Sequence, residues 1–302
     1  MELPYDVHLT ELARWTDCFP LHDIQPVDRL AAALFVNAPN PRGRLMAMFT
    51  AYFDAAGNAQ EQPFVVVCGY VANYGQWKTL ETMWAHCHKQ FGADLPFHAT
   101  TFMAAMDNPA RYAKQAIARP DYVRIAHDPQ KADLFLRTLC IAQLSTVNCA
   151  FSCIVNMNIY NDVSSRLDLR EVVPPYALGA RSCLAMVHEW EATFNIEESV
   201  ECIFEAGDFE QGKFTELVVS EGGPVPIYKP KDKFAGLQAA EHFGWEQFHF
   251  LKRELKGTHL PSRDTFKILL NAIPRINVQV TTEGLLNLCQ KKGIDPKTGV
   301  RQ

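Results

Sequence analysis

Three segments of this chain set carboxylates in otherwise apolar surroundings. In LMAMFTAYFDAAG, residues 45–57, an alternating apolar run stops at Asp54, followed by Ala55, Ala56 and Gly57. VECIFEAGD, residues 200–208, repeats the pattern and carries Glu205 and Asp208 at a glycine turn. In GLQAAEHFGWEQFHFLKREL, residues 236–255, Glu241 falls four residues after Leu237 and four before Trp245, on the apolar stripe of a helix. A carboxylate on a buried face must be paired, protonated or bound to a cation. Should the three segments meet at one sheet edge, their acids repel unless a hard divalent cation lies between them, and oxygen ligands suit Mg²⁺ or Mn²⁺. Two such ions about 4 Å apart would clamp an in-line attack at phosphorus. The same residues also allow a structural reading, in which Asp54 and Asp208 shape turns and Glu241 forms a buried ion pair with an Arg or Lys. Residue types alone leave both open.

The elements that would position these acids follow from hydrophobic periodicity. Met46, Met48, Thr50 and Tyr52 share one face of the first run and Ala47, Phe49, Ala51 and Phe53 the other, so the strand is expected to be central, with both faces covered. Residues 63–72, PFVVVCGYVA, read as its antiparallel partner across the Gly57 turn. Helical spacing follows in YGQWKTLETMWAHCHKQF, in KADLFLRTLCIAQL and in PPYALGARSCLAMVHEWEATF. His98 lies in LPFHATTF, which reads as a short strand, and residues 103–130, punctuated by three X-Pro pairs, read as an irregular insertion. Glu246 and Glu254 fall off the apolar stripe of the helix that carries Glu241 and are expected to be solvated. A helix, a strand and a closing helix complete the chain. Residues 1–44 are expected to form an extension packed on a single domain spanning 45–302.

With 302 residues, 48% hydrophobic and 21% charged, the composition is that of a globular protein able to bury a full core. No apolar run reaches membrane-spanning length and the N-terminus lacks the order of a signal peptide, so a cytoplasmic protein with no membrane partner is expected. Nine cysteines, an odd number without fixed spacing, suggest reduced buried thiols. Cys149 and Cys153 are four residues apart along a strand, about 13 Å, too far to chelate one ion together. His86, Cys87 and His88 lie on a helix, where neighbouring side chains diverge. The formal net charge is −5, yet from Lys229 onward there are 13 Lys and Arg against 7 Asp and Glu. That basic end permits a phosphate-bearing ligand without requiring one.

Taken in order, YFDAAG, FHATTF, IFEAGD and KDKFAGLQAAEHFGW resemble the motifs of the bacterial and phage domain of unknown function 3800 family. The resemblance spans residues 49–255. It implies an RNase H-like fold, an α/β architecture whose mixed sheet has antiparallel first strands and is flanked by helices. It also implies a metal-dependent nuclease site acting on DNA or RNA with Mg²⁺ or Mn²⁺. Position by position, Asp54, Glu205 or Asp208, and Glu241 match the metal-ligating acids, and His98 matches a histidine suited to proton transfer or phosphate contact. Gln238 matches the glutamine of the last motif, and Lys231 and Lys233 are candidates for holding the nucleic-acid backbone. The sequence departs from the family pattern at Ala55 and Ala56, where Glu and Ser are usual, at Asp232 in place of Ser, and in having Glu rather than Asp at 241. Those departures motivate an alternative, a catalytically silent RNase H-like module with a binding or regulatory role in a phage-defence or mobile-element system.

Overall fold

Period-two alternation in the first run produces a strand with two buried faces, and the rest of the fold is built outward from it. A computed structural model describes residues 48–57, 62–167, 169–257, 263–271 and 274–294. The expected extension at residues 1–44 lies outside the described residues. Strand β1 (Phe49–Ala56) pairs antiparallel with β2 (Phe64–Asn73), which pairs antiparallel with β3 (Cys149–Asn156). On the other side of β1 lie β4 (Glu201–Glu205) and β5 (Ile227–Lys229), each parallel to its inner neighbour, and β6 (Arg275–Gln279) runs parallel to β3. The result is a mixed six-stranded sheet in the order β5-β4-β1-β2-β3-β6, flanked by helices.

Tyr52, Val66, Cys68 and Tyr70 face one helical layer, and Ala51, Phe53, Val65, Val67 and Val71 face the other. The first layer contains α1 (Tyr74–Phe91), α2 (Ala99–Asp107), α3 (Pro109–Tyr112), α4 (Pro120–Ala126) and α5 (Pro129–Thr146). The second contains α6 (Met157–Leu167), α7 (Leu169–Val172), α8 (Pro175–Phe194) and α9 (Gln211–Ser220). Helix α10 (Ala235–Leu255) lies against β1 and β2 on the first face, followed by α11 (Asp264–Asn271) and, on the second face, α12 (Thr282–Lys291). Two glycines let α10 approach the sheet closely. A Cβ on Gly236 would fall 2.4 Å from the Tyr52 ring, and one on Gly244 would fall 3.0 Å from Cys68 Sγ.

Residues 103–130 are helical over most of their length. Pro109, Pro120 and Pro129 each occupy the first turn of a helix, where the missing N–H leaves no bond unmade, and Asn108 and Asp128 cap the helices that follow them. The X-Pro pairs thus start helices rather than interrupt structure. His98 likewise precedes helix α2, as its N-cap residue, and is not in a strand. Among the described residues, no helix is long and apolar enough to cross a membrane.

Candidate functional site

Register brings the first two acids together. In the parallel pair β1–β4, Phe53 lies opposite Phe204, so the next residues, Asp54 near the end of β1 and Glu205 at the end of β4, come side by side. Asp54 has the parity of Tyr52 and Glu205 that of Ile203, both of which face α10's layer. Asp54 lies within β1 and opposite Cys68, only 5% exposed, so it is a strand residue and not a turn-former. Across the layer, Leu237, Glu241, Gly244 and Phe248 follow one another at helical spacing on the face of α10 that meets the sheet, which sets Glu241 above the strand ends.

At the meeting point stands Lys231, in the 3₁₀ turn Lys231–Lys233 that links β5 to α10. Its Nζ is 2.9 Å from Glu205 Oε1, 3.3 Å from Asp54 Oδ2 and 3.5 Å from Glu241 Oε2. His98 Nδ1 lies 3.7 Å from the same Glu241 oxygen. The ammonium therefore takes the place in which the sequence argument set a divalent ion. Lys231 is an internal counter-cation here rather than a free surface lysine, and the ion-pair reading of Glu241 is the one that this arrangement resembles.

Three acids around one base cannot all be charged without strain. Burial, and then the hydrogen bond with Glu205, lift Asp54 well above the usual carboxylate range, against the pull of Lys231. Burial acts in the same direction on Glu205, but the hydrogen bond from Asp54 and the charge of Lys231 outweigh it and hold Glu205 below its ordinary value. Burial alone would lower Lys231; Asp54, Glu241 and Glu205 together raise it. The Asp54–Glu205 pair as a whole thus holds on to a proton more tightly than free carboxylates do, while the charge of Lys231 is favoured beside it.

The remaining predicted site residues divide. Asp208 is not in the cluster: its Oδ1 accepts from the Glu210 N–H and its carbonyl from the Gln211 N–H, shaping the turn into α9. It lines a separate recess of about 120 Å³ with Asp54, Tyr176 and Glu205. Lys233 is exposed and lines neither this recess nor the groove described next. Gln238 is buried and does not face open space. Its Oε1 accepts from Trp84 Nε1 and from the Phe97 N–H, both at 2.9 Å, and its Nε2 donates to the Lys231 carbonyl at 3.2 Å. One amide thus ties α1, the segment leading to His98, and the Lys231 turn to α10, which makes Gln238 a positioning residue. Glu246, expected to be solvated, is fully buried, where it accepts from Thr265 Oγ1 at 2.6 Å and lies 3.7 Å from Arg263 Nε.

An open groove of about 470 Å³ leads away from the cluster, bounded by Asp54, Lys231 and Glu241 at one end and by Trp245, His249 and Lys252 farther along α10. The apolar stripe of the helix does not single out these three, although the spacing of four from Glu241 to Trp245 and from Trp245 to His249 places them on one face in the sequence. Among the described residues, no group of three or more His, Cys, Asp or Glu side chains stands ready to hold a metal ion, and each described cysteine is a free thiol. Comparisons with protein-family models, with curated proteins and with solved structures find no match to this chain.

Proposed function

We propose that the chain is an RNase H-like, Mg²⁺- or Mn²⁺-dependent phosphodiester hydrolase acting on nucleic acid, of the kind suggested by its resemblance to the domain of unknown function 3800 family. The observation that carries this reading is the convergence of Asp54, Glu205 and Glu241, from two strands and a helix far apart in sequence, on one point at the mouth of a groove. The mixed sheet with antiparallel first strands supports it as well.

The three acids carry oxygen donors of the kind a hard divalent cation takes, at the point that the Lys231 ammonium occupies here. Among the described residues, Glu241 Oε2 is buried without a hydrogen-bond partner and makes the longer charge contacts to Lys231 and His98. Asp54, Glu205 and Glu241 would hold the ion, which when bound supplies Lewis-acid polarisation of a phosphoryl oxygen. The chain's own groups do the rest. Gln238 fixes the backbone at Lys231 and Phe97, Lys231 would bring a positive charge to a phosphate entering the groove, and half-exposed His98, 3.7 Å from Glu241, would serve in proton transfer beside it. The direct test is cleavage of single- and double-stranded DNA and RNA with Mg²⁺ or Mn²⁺, comparing the wild type with Asp54→Ala. Activity that disappears in the variant supports the assignment; equal activity in both overturns it.

The position of Lys231 favours a second reading, the catalytically silent module. If its ammonium permanently replaces the ion, beside alanines at 55 and 56, the cluster is a structural ion-pair network. That reading predicts no thermal stabilisation by millimolar Mn²⁺, whereas a working carboxylate site gains stability through linkage.

A further inference from the structure

Resting on the hydrolase reading, we infer that the groove admits a single strand of nucleic acid, with a base against the Trp245–His249 pair and a backbone phosphate directed to Lys252. Beyond Glu241, helix α10 presents Trp245, His249 and Lys252 to the groove at successive turns. The Trp245 and His249 rings stack at 3.8 Å and 21°, and the Arg263 guanidinium lies 5.4 Å from the Trp245 ring centre. Lys252 rests on the Phe248 ring at 5.5 Å and on Gln62 Oε1 at 3.2 Å, both uncharged partners. Small residues, Ala55, Ala56 and Gly57 from the sheet and Ala240 and Gly244 from α10, also border the groove and keep it open, while Asp107 is the acid on the facing helix.

This succession, acids, then flat aromatic surface, then cation, is what a flexible polyanion with detachable π-faces can satisfy. From Glu241 to Lys252 the helix advances about 16 Å, enough for a short run of nucleotides. A duplex fits poorly, because its bases are stacked on one another inside a wide rod and its phosphates ride on the outside. Asp54, 5% exposed at the end of the groove, lies beneath the surface that such a rod would touch. A single strand can turn a base onto the aromatic pair and lower a phosphate to the acids.

The test is binding without chemistry. Fluorescence anisotropy in EDTA would compare labelled single-stranded DNA and RNA of about 12 nucleotides with the corresponding blunt duplexes. Single strands of either or both sugars are expected to bind at least about tenfold more tightly than duplexes. Trp245→Ala and Lys252→Gln, each checked for an intact melting transition, are expected to weaken single-strand binding by about tenfold. The Lys252→Gln variant is also expected to show a shallower salt dependence, by about one unit of log–log slope. Equal affinity for single strand and duplex, or unchanged affinity in both variants, overturns the inference. Single-strand binding without cleavage would overturn only the hydrolase reading. Cleavage accompanied by duplex-preferring binding would overturn only this one.

Discussion

Replacing Lys231 with methionine keeps most of the side chain's length and removes its charge. In the wild type that charge lies within 3.5 Å of three carboxylates, and the lysine side chain is only 14% exposed. Loss of one partner from a buried ion pair costs about 3–5 kcal/mol, because the surviving charges keep their desolvation penalty. At roughly 2–4 °C per kcal/mol for a large domain, the melting temperature should fall by about 6–20 °C near neutral pH. The deficit should also depend on pH, with a definite sign. Without Lys231 the pull that lowers Glu205 is gone, and Asp54, already raised by burial and by its bond with Glu205, rises further. Above the ordinary carboxylate range the folded variant then binds more protons than the unfolded chain, so its stability falls as pH rises. Calorimetry of the wild type and Lys231→Met at pH 5 and pH 8 should therefore show the larger gap at pH 8. A variant melting with the wild type at pH 8, or a gap independent of pH, would refute the counter-cation assignment. Millimolar Mn²⁺ should narrow the gap if the acids also serve as ligands.

Gln238→Ala strands the Trp84 and Phe97 donors, and at about 1–3 kcal/mol for each unsatisfied buried group it should lower the melting temperature by several degrees; the isosteric Gln238→Glu should recover only part, because it cannot donate to the Lys231 carbonyl. Gly236→Ala places a methyl group 2.4 Å from the Tyr52 ring, so chemical denaturation should show a loss of about 1–3 kcal/mol as α10 is pushed off β1. His242 and His88 are held down to about 3 and about 4, chiefly by burial. Below pH 6.5 the unfolded chain takes up protons that the folded one refuses, so stability should drop by up to about 1.4 kcal/mol per pH unit for each histidine as pH falls toward 4. Urea melts from pH 7.5 to 4.5 would show this, and a flat profile would contradict the buried neutral placement.

Much of the sheet was legible in the sequence because its signal is local. The alternation in residues 46–53 and the acid-tipped run at 200–208 are written within single segments, and β1's two covered faces follow from them. What sequence could not disclose was which charges meet. Lys231 stands two residues from Lys233 and is of the same type, yet one enters the cluster and the other faces water, a difference set by a single turn of backbone between β5 and α10. Glu246 was misread for a related reason. The stretch of α10 around it is buried on nearly every side, by the sheet, by α5 and by α11, so a one-stripe helical wheel loses its meaning there. Prolines at 109, 120 and 129 were read as breakers because the same residue that stops a helix also suits its first turn, and the deciding context is the segment that follows.

The order in which the cluster's members leave the ribosome gives it a direction in time. Asp54 and Glu205 can come side by side as soon as β4 has been made, and until Lys231 emerges a shared proton, not a cation, must hold the two acids together. The β1–β4 edge thus gains its charge partner only after both strands have been made, and residues 231–241 act as its fastener. A chain cut short between β4 and Lys231 should hold the β1–β2–β3 meander yet leave that edge open, exposing a strand able to pair with other molecules.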